Sequence, residues 1–423
     1  MQQPRKGWEE IVTKQGLTFP TTDLPDGSAV PYWNESAWYE FTQGEVDRLE
    51  RSTEELWGMS LEACSKMATD LDDARLRLPA GTLAYVRDSI RRKDPTVYGR
   101  FDLRFEGDLP KLLELNGDTP TGLVETGVVQ WMWKEATLDE ADQWNSLHER
   151  LIDRWRALRA EGSLPGDVVH FLFSEDDTSG EEEMTTWYMS DCAMQAGLTV
   201  TVQPIQQIAW NDHPSNPHGP CFLDANGDPV RSAYKLYPWE AILSEQPAGD
   251  VLLNQREQTP IRWVEPAWKV LLSTKALLPV LWEMYPDHPL LLPAYFDHPH
   301  DLTEWVAKPL QGREGDNIVV HRADGSEQVN PGGYGDDALV YQGFAELPNF
   351  IDNGRANYAM IGSWGVDGEA AGMMVRESDG PVTDYYSRVV PHVIGDGLEP
   401  SIGQQTLWRH QRVTENVPSL PQP

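Results

Sequence analysis

Between Gly99 and Gly122 the chain reads GRFDLRFEGDLPKLLELNGDTPTG, which sets oxygen-bearing side chains at strand spacing. RFDLRF alternates polar with apolar residues, EGD is a turn and KLLELN alternates again, so the spacing predicts a β-hairpin. Side chains two apart share a face of a strand. Arg100 and Asp102 therefore point one way, as do Glu114, Asn116 and Asp118 on the return strand. A turn near Asp108 sets Asp102 opposite Glu114. Phe101, Leu103, Phe105, Leu113 and Leu115 form the companion face, which suits a core. Two carboxylates and an amide oxygen facing one another repel unless a cation joins them. Hard oxygen ligands with retained waters are what magnesium prefers, with substrate phosphates completing its shell.

Two lysines extend this reading. Lys308 lies inside the apolar run WVAKPL and precedes the loop Gln311-Gly312-Arg313-Glu314-Gly315. A lysine on an apolar strand needs an anion, and small glycines let backbone N–H groups approach phosphate oxygens. Lys275, within STKALLPVLW, is surrounded by apolar residues and needs an anionic partner too. The plainer alternative is a surface lysine at a strand end. No G-x-x-x-x-G-K-[ST] run and no strand-linked G-x-G-x-x-G occurs, so neither a P-loop nor a dinucleotide fold is supported. Arg376 closes a predicted strand and could reach a transferring phosphoryl group, or form a paired edge charge. The loop Glu175 to Glu183 carries six carboxylates, enough to hold an amine or simply to be solvated. The histidines among prolines show no zinc spacing, and no local signature assembles a serine or cysteine nucleophile.

The elements that must position these residues alternate. Residues 35–78 read as two amphipathic helices, 121–158 as helical, 167–174 as a short buried strand and 198–208 as strand-like. Residues 266–286 are helix-rich, 305–310 form a strand, 311–317 a glycine loop and 318–329 a strand-turn-strand. Asp367-Gly368 marks a further hairpin. Such alternation argues for an α/β architecture. The tail after about Asn416 reads as a disordered end.

At 423 residues the chain can bury a substantial core. Its net charge of −33 repels nucleic acid and anionic membranes and attracts cations such as polyamines, or simply keeps the protein soluble. No apolar run is long enough to span a bilayer, and the N-terminus lacks a signal peptide's apolar stretch. Three scattered cysteines point to a reducing cytoplasm.

RFDL…KLLELNGDTPTGLVETGVVQW, YKLYPWE, EPAWKVLLSTKALLPVLWEMYP, VAKPLQGREGDNI and VRESDGPVTDYYSRVVPHVI, in order from about Trp33 to about Ile394, resemble the synthetase domain of the glutathionylspermidine synthase family. The resemblance implies an α/β (α+β), ATP-grasp-like fold preceded by a substrate-binding pre-ATP-grasp region. It divides one synthetase-like unit into residues 1–265 with the metal hairpin 99–122, a nucleotide-binding region 266–400 with a lid at 311–315, and a tail 401–423. It implies that Asp102, Glu114 and Asn116 bind magnesium (two ions), that Lys275 and Lys308 hold ATP phosphates, and that the segment from Gln342 to Leu347 lies beside adenine. Arg100 and Arg376 match arginines at the reacting phosphoryl group, and Arg313 one in the mobile loop. Two-domain members carry an amidase ahead of the synthetase; this chain begins at the synthetase-like part, so amidase activity is not expected. Thr119 and Thr121 stand where the family uses serines near glutathione, and Arg388 where it has an acidic substrate contact.

The chemistry so implied is ATP-dependent joining of a carboxylate to an amine through an acyl phosphate, with a glutathione-like peptide and a polyamine as candidate substrates. The alternatives are the same chemistry on another acid and amine, such as a peptide, or a silent ATP-binding regulator.

Overall fold

The computed structural model describes residues 4–24, 26–245, 248–257, 259–313, 315–335, 338–351 and 354–395, with the backbone of the strand Arg409–Arg412. Glu314 of the glycine loop and the expected tail after Asn416 lie outside the described residues. Three sheets carry the architecture. The first is antiparallel, in the order Arg388–Val390, Glu369–Ser378, Tyr358–Val366, Tyr98–Arg104, Lys111–Asn116. The second is parallel, Arg262–Val264, Ser232–Lys235, Val169–Phe173, Val200–Pro204. The third is antiparallel, Ala294–Phe296, Leu339–Gly343, Trp305–Pro309, Val319–His321, Glu327–Val329. Helices cover the sheets, so the chain is of mixed α/β class. The first sheet takes strands from both sides of residue 265, which ties the two ends of the chain into one body.

The hairpin forms with the expected register, Asp102 facing Glu114 and Arg100 facing Asn116. A β-bulge at Asp102/Leu103 corrects one detail: Leu103 pairs with Leu112, so Leu112 is fully buried and Leu113 is not. The extra residue turns Leu113 out of the core and leaves its carbonyl free of the ladder. Asp118 is also corrected. The strand ends at Asn116, and Asp118 is turned away into the protein. At the intervening turn only glycine fits, because a Cβ on Gly117 would lie 2.5 Å from Leu272 Cβ.

The two helices expected over 35–78 are instead a strand, Ala37–Phe41, and one helix, Gln43–Asp70. Thr42 and Glu45 make the reciprocal capping box that starts it. This helix lays Leu49, Leu56, Trp57, Ala63 and Met67 in the core that also receives Phe101, Leu103 and Leu115 of the hairpin. Each leucine, methionine and phenylalanine among them contributes about 1.5–3 kcal/mol when fully buried. The helical reading of 121–158 is broken as well. A π-turn Glu125–Val129 runs into Gln130–Thr137, and a new helix begins at Leu147. In between, the Gln143 amide reaches the Gln130 carbonyl at 3.4 Å and Asn145 donates to Thr126 O at 2.6 Å, so side chains take up carbonyls that a continuous helix would have closed. Asp367-Gly368 turns the long hairpin as expected. Among the described residues no helix is long and apolar enough to cross a membrane.

Candidate active site

The hairpin brings the three candidate metal ligands to one point. Asn116 Nδ2 lies 3.3 Å from both Asp102 Oδ2 and Glu114 Oε1. A half-turn of the amide, whose two ends are interchangeable in shape, would present Oδ1 to the same point. The repulsion expected between the carboxylates is met by protein cations. Arg100 Nε donates to Asp102 Oδ1 at 2.8 Å, Arg376 Nη1 stands 3.8 Å from Asp102 Oδ2, and Lys275 Nζ stands 3.2 Å from Glu114 Oε2. Among the described residues no three His, Cys, Asp or Glu side chains gather to enclose a metal. With the Asn116 amide so turned and the lysine and arginine contacts given up, two carboxylates and an amide would make an all-oxygen set that fits magnesium sharing its shell with phosphate and water.

Both lysines reach this point from other elements. Lys308, on Trp305–Pro309, donates to the bulge carbonyl of Leu113 at 2.9 Å and to Gln342 Oε1 at 2.8 Å. Gln342 in turn donates to Leu112 O at 2.9 Å, so the neighbouring sheet grips the hairpin at its bulge. Lys275, in the turn between the helices Val270–Ser273 and Leu277–Met284, donates to Gly312 O at 2.6 Å. Burial pulls the Lys308 ammonium down to about 8, Lys275 adding to the effect against the pull of Glu114 and Asp102. Burial pushes the Glu114 carboxyl up, but Lys275 and Lys308 outweigh it and hold the group well below the usual carboxylate range. A cleft lined by Glu114, Lys275, Lys308, Arg313 and the buried Leu347 opens beside them.

Arg100 is fixed by Asp102 and by Thr121 O, to which Nη1 donates at 2.6 Å. Arg313 stands apart from the carboxylates of the hairpin: it lines the cleft but donates to Glu240 and to Thr119 Oγ1. Arg388 is buried and bonded to Glu377 and Asp379, at 2.7 and 2.8 Å. The acidic loop is knitted internally, Asp177 accepting from Glu182 N at 2.8 Å and Glu182 accepting from Ser174 N at 3.0 Å.

Two features went unread in the sequence. Asp118 and Lys235 form a fully buried ion pair at 2.7 Å, and Glu125 accepts from Tyr32 at 2.6 Å within the field of Arg100 and Arg376, which favours its charged form. The only signal for the first is a lysine in the otherwise apolar, aromatic run AYKLYPW.

A family model described as glutathionylspermidine synthase preATP-grasp matches residues 1–395. A provisionally named acid–amine ligase of Haemophilus influenzae is 36% identical over 385 residues, covering 88% of this chain and 94% of that protein. Trypanothione synthetase of Crithidia fasciculata is 28% identical over 341 residues, covering 74% of this chain. The bifunctional glutathionylspermidine synthetase/amidase of Escherichia coli is 24% identical over 389 residues, covering 84% of this chain. The match takes in 50% of the former's length and 59% of the latter's. A solved glutathione synthetase-like effector of Globodera pallida, GSS30, superposes with a TM-score of 0.54 at 11% identity, over 93% of this chain and 98% of that one. That likeness concerns the fold, and it bears out the ATP-grasp-like α/β expectation. By class the protein is an ATP-dependent carbon–nitrogen ligase. The chain belongs to the glutathionylspermidine synthase pre-ATP-grasp family.

Proposed function

We propose that this ligase joins a small-molecule carboxylate to an amine, with Asp102, Glu114 and Asn116 as magnesium ligands and Lys275 and Lys308 as phosphate-binding residues. The observation that carries the reading is that Glu114, which Asn116 joins to Asp102, lines one cleft together with the two buried lysines. When bound, ATP and magnesium would supply the γ-phosphoryl group that turns a carboxylate into an acyl phosphate open to attack by the amine. Phosphoryl transfer asks mainly for positioning and charge neutralisation. Lys275 would exchange Glu114 and the Gly312 carbonyl for phosphate oxygens, and Lys308 would hold the phosphate chain from the opposite sheet. Arg100 and Arg376 would stabilise charge on the transferring group. Gln342 and Leu347 would flank the base, and the 311–315 loop with Arg313 would exclude water. The three cysteines, buried and free of disulfides, support a reducing compartment such as the cytoplasm.

Relatives named for glutathionylspermidine and trypanothione synthesis make a glutathione-like peptide and a polyamine the first substrates to try. A second reading, the same chemistry on a different amine, is favoured by Arg388. Where the resemblance implies an acidic substrate contact, this chain has a guanidinium locked to Glu377 and Asp379. The test is ADP release by the purified protein with magnesium, ATP and pools of carboxylates and amines. Glu114→Ala is expected to abolish ADP release while circular dichroism and the melting temperature stay close to wild type. Full turnover in that variant would end the metal assignment.

A further inference from the structure

Arg313 is exposed on a glycine-flanked loop, yet its guanidinium is fixed at two points. One N–H donates to Glu240 Oε1, the other to Thr119 Oγ1 at 3.3 Å. Both anchors are set by the exit of the site hairpin. Thr119 belongs to it. Glu240 is the second residue of the helix Trp239–Ser244, whose first N–H donates to Asp118 Oδ2 at 2.8 Å. The Trp239 indole pins the same helix to the Glu265 carbonyl at 3.0 Å.

The contact is one-sided. Glu240 Oε2 is buried without a hydrogen-bond partner among the described residues, although an arginine fork could engage both carboxylate oxygens. Held by one carboxylate oxygen and one hydroxyl, the guanidinium keeps its direction yet has only one contact with Glu240 to trade for another anion in the cleft that Arg313 already lines.

We propose that Glu240 is the positioning residue for Arg313, holding the loop arginine beside Thr119 so that its guanidinium is pre-aimed into the cleft it lines, ready for an anion bound there. The kinetic consequence rests on the ligase reading given above; the tether itself does not. Pre-aiming a group contributes to the rate of the chemical step and not to uniform nucleotide binding.

The experiment compares wild type with Glu240→Ala and Glu240→Gln, each first checked for native circular dichroism. Trypsin cleavage after Arg313 is expected to quicken about fivefold in Glu240→Ala, the factor a favourable ion pair supplies, and less in Glu240→Gln, which keeps an acceptor oxygen. With magnesium, ATP, glutathione and spermidine as probes, kcat for ADP release should fall roughly ten- to a hundredfold while KM for ATP stays within about twofold. Unchanged cleavage in Glu240→Ala overturns the tether. Faster cleavage with unchanged kcat, or a rise confined to KM, overturns the positioning role. Absence of ADP release in the wild type counts against the ligase reading on these substrates, and the cleavage rates still decide whether Glu240 holds Arg313.

Discussion

Lys308 holds its ammonium between the Leu113 carbonyl and the Gln342 amide oxygen, in a setting dry enough to bring it down to about 8. A phosphate chain favours the charged form. Below pH 8 the free protein already carries that charge; above pH 8 it must take up a proton to bind nucleotide. ATP affinity is therefore expected to fall as pH rises through 8, by about tenfold between pH 7 and pH 9 for one such proton. Calorimetry in buffers of different ionisation heats would register the proton uptake. Lys308→Arg, with a guanidinium that stays charged throughout, should flatten the profile. A wild-type affinity that ignores pH over this range would show that Lys308 does not meet the phosphates.

The hairpin is the element on which the site depends, and its register was legible because strand alternation is a local pattern. Asp102 opposite Glu114 follows from counting back from the turn. The bulge was not legible: Leu112 and Leu113 are both leucines, so nothing in the pattern says which one the core takes. The helix start at Thr42 was written in T-x-x-E and was obscured by the apolar strand before it. Least legible were the pairs closed by the tertiary fold, such as Arg313 with Glu240, 73 residues apart, and Lys235 with Asp118, 117 apart. The latter pair locks the hairpin exit to the parallel sheet. Burial pushes Asp118 up and pulls Lys235 down, so each charge persists only through the other. Lys235→Met is expected to cost about 3–5 kcal/mol in urea denaturation, since it strands a buried carboxylate, whereas adding Asp118→Leu should restore much of that loss. Equal destabilisation by the single and double variants would deny the pairing.

At the scale of the whole molecule the dominant fact is the net charge of −33. An anionic nucleotide has to reach a basic cleft through an acidic surface, and the compact state holds its own negative charge together against self-repulsion. Two effects of salt compete. Screening relieves the general repulsion, with a Debye length of about 10 Å at 0.1 M falling to about 3 Å at 1 M. It also weakens exposed ion pairs, but those are worth only about 0–1 kcal/mol each. The pairs that matter here, Asp118 with Lys235 and Arg388 with Glu377, are buried and therefore screened little. Relief of repulsion should win. Raising sodium chloride from 0.05 to 0.5 M is expected to stabilise the fold by a few kcal/mol, a rise in Tm of roughly 2–4 °C for a chain of this length. Scanning calorimetry across that series checks the sign, with sulfate avoided because it strengthens apolar burial on its own account. A Tm that falls with chloride would mean that exposed ion pairs outweigh the global field, and that the acidic surface is balanced by local partners.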